Sequence, residues 1–334
     1  MSNKNLTIIV PIYNPAIPIE DIFNNLYKQK SQNFDVVVTI DRPKEEHFIA
    51  IDELHNKLKD RLKVVFNTTH QHIDIVINHA LKNVETPYVF ILYSYCKLKN
   101  EFIQRIDKFL ENFQDKPDFV EMPGFSKSIS HSLIKSELLS GLGLVDLEKN
   151  VLPFALVTPF VFNTFVKTEI AKKVMEIPKT RDLNLEYSPN LVFRTLLNSK
   201  TFAYFPDTWI ENWNYSFLMF NPKSLTRSWN IIFKEVALDK DPVKKALSFA
   251  KCINYCYYVA GILGTFKTRK NSLESKSLDN IKKALIQEIE NLKPVWLEEM
   301  KNNNFFLTFD VRKLFDLTDG FVKKWDLIFK KFIW

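Results

Sequence analysis

Apolar residues in the first part of the chain recur with two different spacings. Residues 6–14, LTIIVPIYN, and 34–41, FDVVVTID, are nearly continuous apolar runs that end in polar residues, as buried parallel strands do. Between them, residues 18–29 repeat apolar side chains at helical spacing. This order of strand, helix and strand predicts an α/β domain with a parallel sheet.

The alternation of strands and helices continues beyond this unit. Residues 62–67 and 87–93 predict two more strands, and residues 70–84 and 101–113 predict amphipathic helices. Beyond residue 216 the pattern changes to mainly helical segments separated by short polar stretches. The sequence therefore predicts an α/β fold followed by a helical region.

Composition limits the class of protein. The chain has 334 residues, 46% of them hydrophobic, which is enough to bury a large core and excludes a disordered chain. The net charge of +7 is carried mostly by lysine and fits an anionic partner, although a solvated lysine-rich surface explains it as well. Neither GxGxxG nor GxxxxGK occurs, which argues against dinucleotide and P-loop binding sites.

The cysteines and the hydropathy pattern indicate in which compartment of the cell the protein is found. The three cysteines match neither a disulfide framework nor zinc spacing, so we expect reduced thiols, those of Cys252 and Cys256 in a buried helix. No apolar run reaches the roughly 20 residues of a spanning helix, and no apolar signal region precedes the first strand. These patterns predict a cytoplasmic protein.

Polar residues follow the first two predicted strands. Tyr13 and Asn14 end the first, and Asp41 ends the second. Ligands of open α/β sheets bind outside the carboxyl ends of the strands, so these side chains are candidates for a ligand site. Their alternative roles are those of turn residues and a helix N-cap.

The order IIVPIYN, helix, VVVTIDRP resembles the opening of the family 2 glycosyltransferases. The resemblance implies a GT-A fold, which is a Rossmann-like nucleotide-diphospho-sugar transferase core, over residues 1–215, with a helical extension over residues 216–334. It also implies an enzyme that transfers a sugar from a nucleotide-sugar donor to a lipid or polysaccharide acceptor. The donor-binding residues implied are Pro11, Tyr13, Asn14, Asp41 and Asn78.

Two motifs of the family are eroded in this chain. Family members hold Mg²⁺ or Mn²⁺ with a DxD motif, but this chain has Tyr93, Ser94, Tyr95 and Cys96 there, so no metal ligand is predicted. The family's acidic pair, which supplies the catalytic base, falls on Tyr187 and Ser188.

The nearest acids to that pair are Asp182 and Glu186, of which Glu186 is preferred as the base because it precedes a predicted helix. A helix-capping role is the alternative, and Asp207 and Glu211 are less favoured substitutes. The missing motif acids also leave open a degenerate member of the family that binds a nucleotide sugar or acts as a scaffold subunit without catalysis.

Histidines and charge give weaker signals. His70, His72 and His79 lack a carboxylate motif that would complete a metal site, and we expect them to be solvent-exposed. Nucleic-acid binding has only the basic charge behind it and is not expected.

The chain ends in an amphipathic segment, residues 321–334, FVKKWDLIFKKFIW. Its aromatic face and its lysines suit peripheral contact with an anionic membrane, here the inner face of the cell membrane. A terminal helix docked on the core is an equally good interpretation.

Overall fold

The computed structural model describes residues 4–13, 15, 17–127, 132–176, 187–213, 221–265, 272–318 and 322–331. Its strands, in chain order, are β1 (Leu6–Ile12), β2 (Phe34–Asp41), β3 (Leu62–Asn67), β4 (Tyr88–Ile91), β5 (Cys96–Lys97), β6 (Phe119–Glu121), β7 (Gly124–Ser126), β8 (Ser132–Ile134), β9 (Val145–Asp146), β10 (Thr164–Lys167), β11 (Thr201–Tyr204) and β12 (Ile210–Asn212).

Within the described residues, eight strands form one mixed sheet in the order β3-β2-β1-β4-β10-β6-β11-β9. The four at one side, β3, β2, β1 and β4, are parallel, as the sequence predicts. Strand β10 runs antiparallel between β4 and β6, while β11 is again parallel to β6. The carboxyl ends of β1, β2, β3, β4, β6 and β11 therefore lie at one edge of the sheet.

A smaller sheet has the order β5-β12-β7-β8 among the described residues. It begins directly after the turn that follows β4, so it borders the carboxyl edge of the main sheet. Gly124 lets β7 pack closely on the core, because a Cβ atom there would lie 2.8 Å from the ring of Phe162.

The strands alternate with helices, which cover both faces of the main sheet. They are α1 (Ile19–Tyr27), α2 (Glu45–Leu58), α3 (Ile73–Leu81), α4 (Phe102–Glu111), α5 (Glu137–Ser140), α6 (Leu152–Leu156), α7 (Thr168–Met175) and α8 (Pro189–Leu197), with a 3₁₀ turn at Lys59–Arg61.

Burial on both faces explains the continuous apolar runs. Ile8 and Val10 of β1 pack in one cluster with α1 and α2, whereas Ile9 packs in another with α3 and α7. Pro11 is tolerated in this central strand because the pairing of β1 with β4 ends at Ile9, so no ladder hydrogen bond is lost on that side.

From Pro222 onward the described residues form helices only. They are α9 (Pro222–Glu235), α10 (Asp241–Ile253), α11 (Ala260–Thr265), α12 (Ser272–Glu299), α13 (Asn304–Thr308), α14 (Arg312–Thr318) and α15 (Ile328–Lys331), with a π-helical segment at Asn254–Val259 and a 3₁₀ segment at Val322–Leu327. The prediction of an α/β core with a helical C-terminal region is therefore confirmed.

The helical region shares its hydrophobic core with the sheet. The ring of Phe193 lies 5.0 Å from that of Trp229, and the ring of Phe160 lies 5.7 Å from that of Tyr258. Both pairs join a residue before position 215 to one after it. The division into domains at residue 215 stays a prediction.

The C-terminal segment is docked on this helical region. Trp325 and Ile328 are fully buried, and the ring of Phe329 lies 5.1 Å from that of Tyr257. These apolar side chains contact the chain's own helices, which is the alternative that the sequence left open. Residues 319–321 and 332–334 lie outside the described residues.

Two other predictions concern membranes and thiols. No helix in the described part of the chain is long and apolar enough to cross a membrane. Cys96, Cys252 and Cys256 are all buried and none of them forms a disulfide, as the sequence predicts for reduced thiols.

Candidate functional site

Three side chains meet at the carboxyl edge of the main sheet. The ring of Tyr13 stacks on that of His70, with 3.8 Å between the centroids and 21° between the planes. Nδ1 of His70 lies 3.3 Å from Oδ2 of Asp41. The predicted pair of Tyr13 and Asp41 therefore belongs to one cluster, which His70 joins together.

The Asp41 carboxylate is buried and held in place by its neighbours. The residue is 3% exposed, and its Oδ1 accepts a hydrogen bond of 2.6 Å from Nδ2 of Asn67, its partner across β2 and β3. Its Oδ2 accepts a hydrogen bond of 2.9 Å from the backbone N–H of Gln71. A buried carboxylate that is fixed in this way is a pre-oriented acceptor for a ligand donor group.

The backbone turns sharply just after this carboxylate. Arg42 has a φ of 51°, in the left-handed region that side chains other than glycine seldom adopt. Its N–H donates to the carbonyl oxygen of Asn67 at 2.9 Å, which holds the turn against the end of β3. Such a conformation is found more often at functional sites than elsewhere.

Tyr13 offers the cluster's exposed surface. Its side chain is 49% exposed, so part of its ring is available to a planar ligand such as a nucleobase. Asn14 lies outside the described residues. Pro11 is buried in β1, beyond the last residue that pairs with β4, and leads the chain to Tyr13.

Asn78 has a structural contact in this conformation. Its Nδ2 donates a hydrogen bond of 3.2 Å to the carbonyl oxygen of Met175, which joins α3 to α7. Its role towards a nucleotide stays a prediction.

The turn after β4 carries no carboxylate. Tyr93 and Cys96 are buried, and the rings of Tyr93 and Tyr95 stack with centroids 5.7 Å apart. Magnesium and manganese prefer carboxylate oxygens, and the described residues include no group of three or more His, Cys, Asp or Glu side chains that could hold a metal ion. The residues at this turn do not fit the family's divalent cation.

The position of the family's acidic pair is also occupied by neutral groups. The Tyr187 hydroxyl donates a hydrogen bond of 2.6 Å to Oδ1 of Asn254, and burial raises its pKa well above the ordinary value. Ser188 caps α8 by accepting a hydrogen bond from the N–H of Leu191. Neither can serve as a base near neutral pH, and Asp182 and Glu186 lie outside the described residues.

Sequence reasoning missed two residues at this edge. His70 was expected only as an exposed side chain, and its position directly before the Gln71 amide that binds Asp41 could not be read from spacing. The second is Glu121, at the carboxyl end of β6, whose side chain is completely buried. An isolated acid in the apolar run FVEMP was the available signal.

Glu121 has an unusual environment for a carboxyl group. Its Oε1 accepts hydrogen bonds from the N–H and the hydroxyl of Thr158, at 2.8 and 2.5 Å. Burial raises its pKa from 4.5 to about 7, although the hydrogen bonds from Thr158 and Asn163 oppose this rise. The group is poised to change its charge near neutral pH, but its burial keeps it from direct contact with a substrate in this conformation.

Comparisons with known proteins bear on this edge of the sheet. Residues 7–121 match the profile of glycosyl transferase family 2, a span that includes Tyr13, Asp41, His70 and Glu121. No curated protein matches the chain in a sequence search.

The chain is similar to solved structures at low sequence identity. The crystal structure of S. aureus TarS 1-349 has a TM-score of 0.60 at 18% identity, covering 85% of this chain and 81% of that one. TarS 1-349 in complex with UDP-GlcNAc gives a TM-score of 0.60 at 17% identity over the same shares. The chain spans about half, 49%, of a longer TarS structure.

A further similar structure is the mannosyltransferase PcManGT from Pyrobaculum calidifontis in complex with GDP-Man and Mn²⁺. Its TM-score is 0.51 at 12% identity, covering 97% of this chain and 86% of that one. At these identities the likeness establishes the fold, while the family match confirms the predicted glycosyltransferase class. Residues 7–121 therefore match glycosyl transferase family 2, and the chain has a GT-A fold that extends beyond them.

Proposed function

We propose that the chain transfers a sugar from a nucleotide-sugar donor to a hydroxyl group of a lipid or polysaccharide acceptor. The observation that carries this proposal is the cluster of Tyr13, His70 and Asp41 at the carboxyl ends of β1 to β3. It lies within the family match and at the sheet edge where α/β folds bind ligands.

The donor in this proposal carries a uridine diphosphate. The Asp41 carboxylate has unused acceptor capacity and can accept from the N–H of a uracil ring or from a ribose hydroxyl. The half-exposed ring of Tyr13 provides a stacking surface for the base. TarS 1-349 has been solved with UDP-GlcNAc, which makes that compound the first probe to use.

The reaction would be a displacement at the anomeric carbon. The acceptor oxygen forms a bond to this carbon, the bond from the carbon to the diphosphate oxygen breaks, and the hydroxyl proton passes to a carboxylate. Glu186 is the proposed base, with Asp182 as the substitute. Because the turn at residues 93–96 does not fit a divalent cation, no step is assigned to a metal.

Donor binding is the first test. We expect UDP-GlcNAc to bind in calorimetry with EDTA present, and Tyr13→Ala to weaken this binding about fivefold, since a stacking contact is worth about 1 kcal/mol. Leu307→Ala, which truncates an exposed apolar side chain in the helical region, serves as the control and should leave affinity unchanged. Equal affinity of Tyr13→Ala and the unaltered chain would contradict the proposed site.

Catalysis is tested separately. We expect slow hydrolysis of the donor without added metal, and a loss of about 100-fold or more in turnover with unchanged donor affinity in Glu186→Gln or Asp182→Asn. Turnover that appears only with Mn²⁺ would show that residues 93–96 are wrongly matched to the DxD motif.

A second candidate function is that of a non-catalytic subunit that binds a nucleotide sugar. It is favoured by the neutral groups at both motif positions, Tyr93 to Cys96 and Tyr187 to Ser188. Donor binding without any turnover, with or without metal and acceptor, would support this function over transfer.

The proposed acceptor is either a lipid or a polysaccharide. Membrane contact through residues 321–334 would require Trp325 and Ile328 to leave their buried positions. A polysaccharide acceptor requires no such rearrangement and is the one we favour.

A further inference from the structure

The small sheet has one buried face and one exposed face. Lys97, Glu211, Phe125 and Leu133 are successive partners across β5, β12, β7 and β8, so their side chains lie in one row on the same face. Their sequence neighbours Cys96 and Ile210 point the other way and are 1% and 0% exposed. The outer row is half-buried or exposed.

Aromatic rings and lysines alternate over this outer face. The ammonium group of Lys97 lies 4.9 Å from the ring centroid of Trp213, and that of Lys99 lies 4.4 Å from that of Trp209. The ammonium group of Lys127 lies 4.0 Å from the ring centroid of Phe125. We call this surface the lysine–aromatic face and define it by Lys97, Lys99, Phe125, Lys127, Trp209 and Trp213.

The face carries excess positive charge. Its three ammonium groups are opposed by one carboxylate, Glu211, whose Oε1 lies 3.5 Å from Nζ of Lys99 and whose Oε2 accepts from Nε1 of Trp213 at 3.2 Å. Neither Lys97 nor Lys127 forms a salt bridge with any acid in the described ranges. An occupant that complements this surface must bring negative charge and flat apolar faces.

The position of the face relates it to the proposed transfer site. Its strand β5 starts at Cys96, directly after the turn that follows β4, and the N–H of Trp213 donates to the carbonyl oxygen of Tyr95 at 2.9 Å. From Trp209 to Trp213 an extended strand covers roughly 13 Å, longer than one sugar ring. The face thus begins beside the carboxyl edge of the main sheet and offers a strip longer than one sugar ring.

We propose that the lysine–aromatic face binds the acceptor, and that this acceptor is an anionic glycan, a chain of sugars that carries carboxylate or phosphate groups. This inference rests on the proposed function. Sugar rings stack their C–H faces on the tryptophans and the phenylalanine, while Lys97 and Lys127 contact the anionic groups. Glu211 places a carboxylate in the middle of the face, and inserting this charge into an anionic membrane is less favourable than leaving it in water beside a bound glycan.

The test measures glycan binding by the full chain without donor. The probes are oligogalacturonate and phosphorylated dextran, with methyl-esterified oligogalacturonate and plain dextran as neutral counterparts. We expect both anionic probes to bind more weakly as salt rises, and the neutral ones to bind at least about tenfold more weakly. Failure of both anionic probes to bind, or equal binding of the neutral ones, would overturn the proposal.

Variants locate the binding on the face. The first variant combines Lys97→Gln and Lys127→Gln, and the second is Trp209→Ala. We expect each of them to weaken glycan binding about tenfold and to leave the melting temperature unchanged. Lys57→Gln is the matched control, because its ammonium group lies 3.9 Å from the ring centroid of Tyr27 on α1, outside the face. An equal loss in Lys57→Gln would show non-specific charge binding and overturn the proposal.

Two further measurements separate a membrane from a glycan as the occupant, and separate this inference from the proposed function. Vesicles of phosphatidylglycerol that bind more tightly than the glycans, and lose binding in the same variants, would assign the face to a membrane and overturn the proposal. UDP-GlcNAc affinity is measured on the same variants and should not change. Glycan binding without donor binding would contradict the proposed function only, and donor binding without glycan binding would contradict this inference only.

Discussion

At the scale of single residues, Glu121 gives the chain a predicted dependence on pH. Its pKa is raised on folding to about 7, so the folded chain holds this proton more tightly than the unfolded chain does. The free energy of unfolding should therefore fall as pH rises from about 4.5 to about 7. Buried Oε2 of Glu121 and Oδ1 of Asn163 lack a hydrogen-bond partner among the described atoms, which suits a protonated carboxyl group at this place.

Glu121→Gln should remove this dependence, because a neutral amide can still accept from Thr158. Above pH 8 the variant is expected to be more stable by on the order of 2–4 kcal/mol, measured by urea unfolding across the pH range. Glu20→Gln, at an exposed glutamate, is the control and should follow the unaltered chain. A variant that keeps the pH slope would assign that slope to other groups.

His70 gives a second prediction at this scale. Its imidazole covers one face of the Tyr13 ring and leaves only the rest of that ring to the nucleobase. We expect His70→Ala to free this face and His70→Phe to block it with a larger apolar ring. Calorimetry should then show UDP-GlcNAc binding to the alanine variant about threefold to tenfold more tightly than to the phenylalanine variant. Equal affinities would mean that the base uses only the face of Tyr13 that His70 leaves open, and the reverse order would mean that the base stacks on the ring at position 70.

At the scale of elements, the docking of the C-terminal segment depends on glycine in α11. A Cβ atom at Gly264 would lie 2.3 Å from the backbone carbonyl carbon of Trp325, which cannot move without displacing its helix. Gly264→Ala should therefore lower the free energy of unfolding by about 1–3 kcal/mol, despite the better helix propensity of alanine.

The control is Gly141→Ala, because a Cβ atom there meets nothing within 4 Å. Urea unfolding measures stability, and limited proteolysis near residue 320 reports whether the segment is released. Equal stability of the two variants would show that the contact between α11 and Trp325 is loose.

The elements were predicted from sequence with uneven success, for physical reasons. Strands β2 and β3 fall on the predicted residues, since burial on two faces leaves a continuous apolar signal. The small sheet was not predicted, because strands of two or three residues such as β5 and β12 carry no periodicity. Its exposed aromatic row depends on cross-strand register, which one sequence does not contain.

The candidate site was likewise predicted in part. Tyr13 and Asp41 follow from their places at strand ends, where chain order alone brings them to one edge. The partners that hold Asp41, namely Asn67, His70 and Gln71, come from β3 and the loop after it, and only the fold shows that they turn towards β2.

At the scale of the whole molecule, the sheet and the helical region are expected to unfold together. The hydroxyl of Tyr187 donates a hydrogen bond to Oδ1 of Asn254, and Trp229 is fully buried against Phe193. A chain cut after residue 215 would expose these surfaces to water. We expect it to be aggregated or unfolded, whereas the full chain should show one cooperative transition in calorimetry. A soluble, folded 1–215 fragment would instead support two independent domains.

The π-helical segment at Asn254–Val259 has a consequence for which kind of mutation the chain tolerates. Its wider turn places one more residue per turn than the helices on either side of it. Deletion of a single residue there would remove the extra residue and restore ordinary winding, so the helix after it would keep its facing. Gly261 and Gly264 would still lie against Phe329 and Trp325. Loss of one codon in this segment should therefore harm the protein less than loss of one codon in α10, which would rotate the helix after it by about 100°.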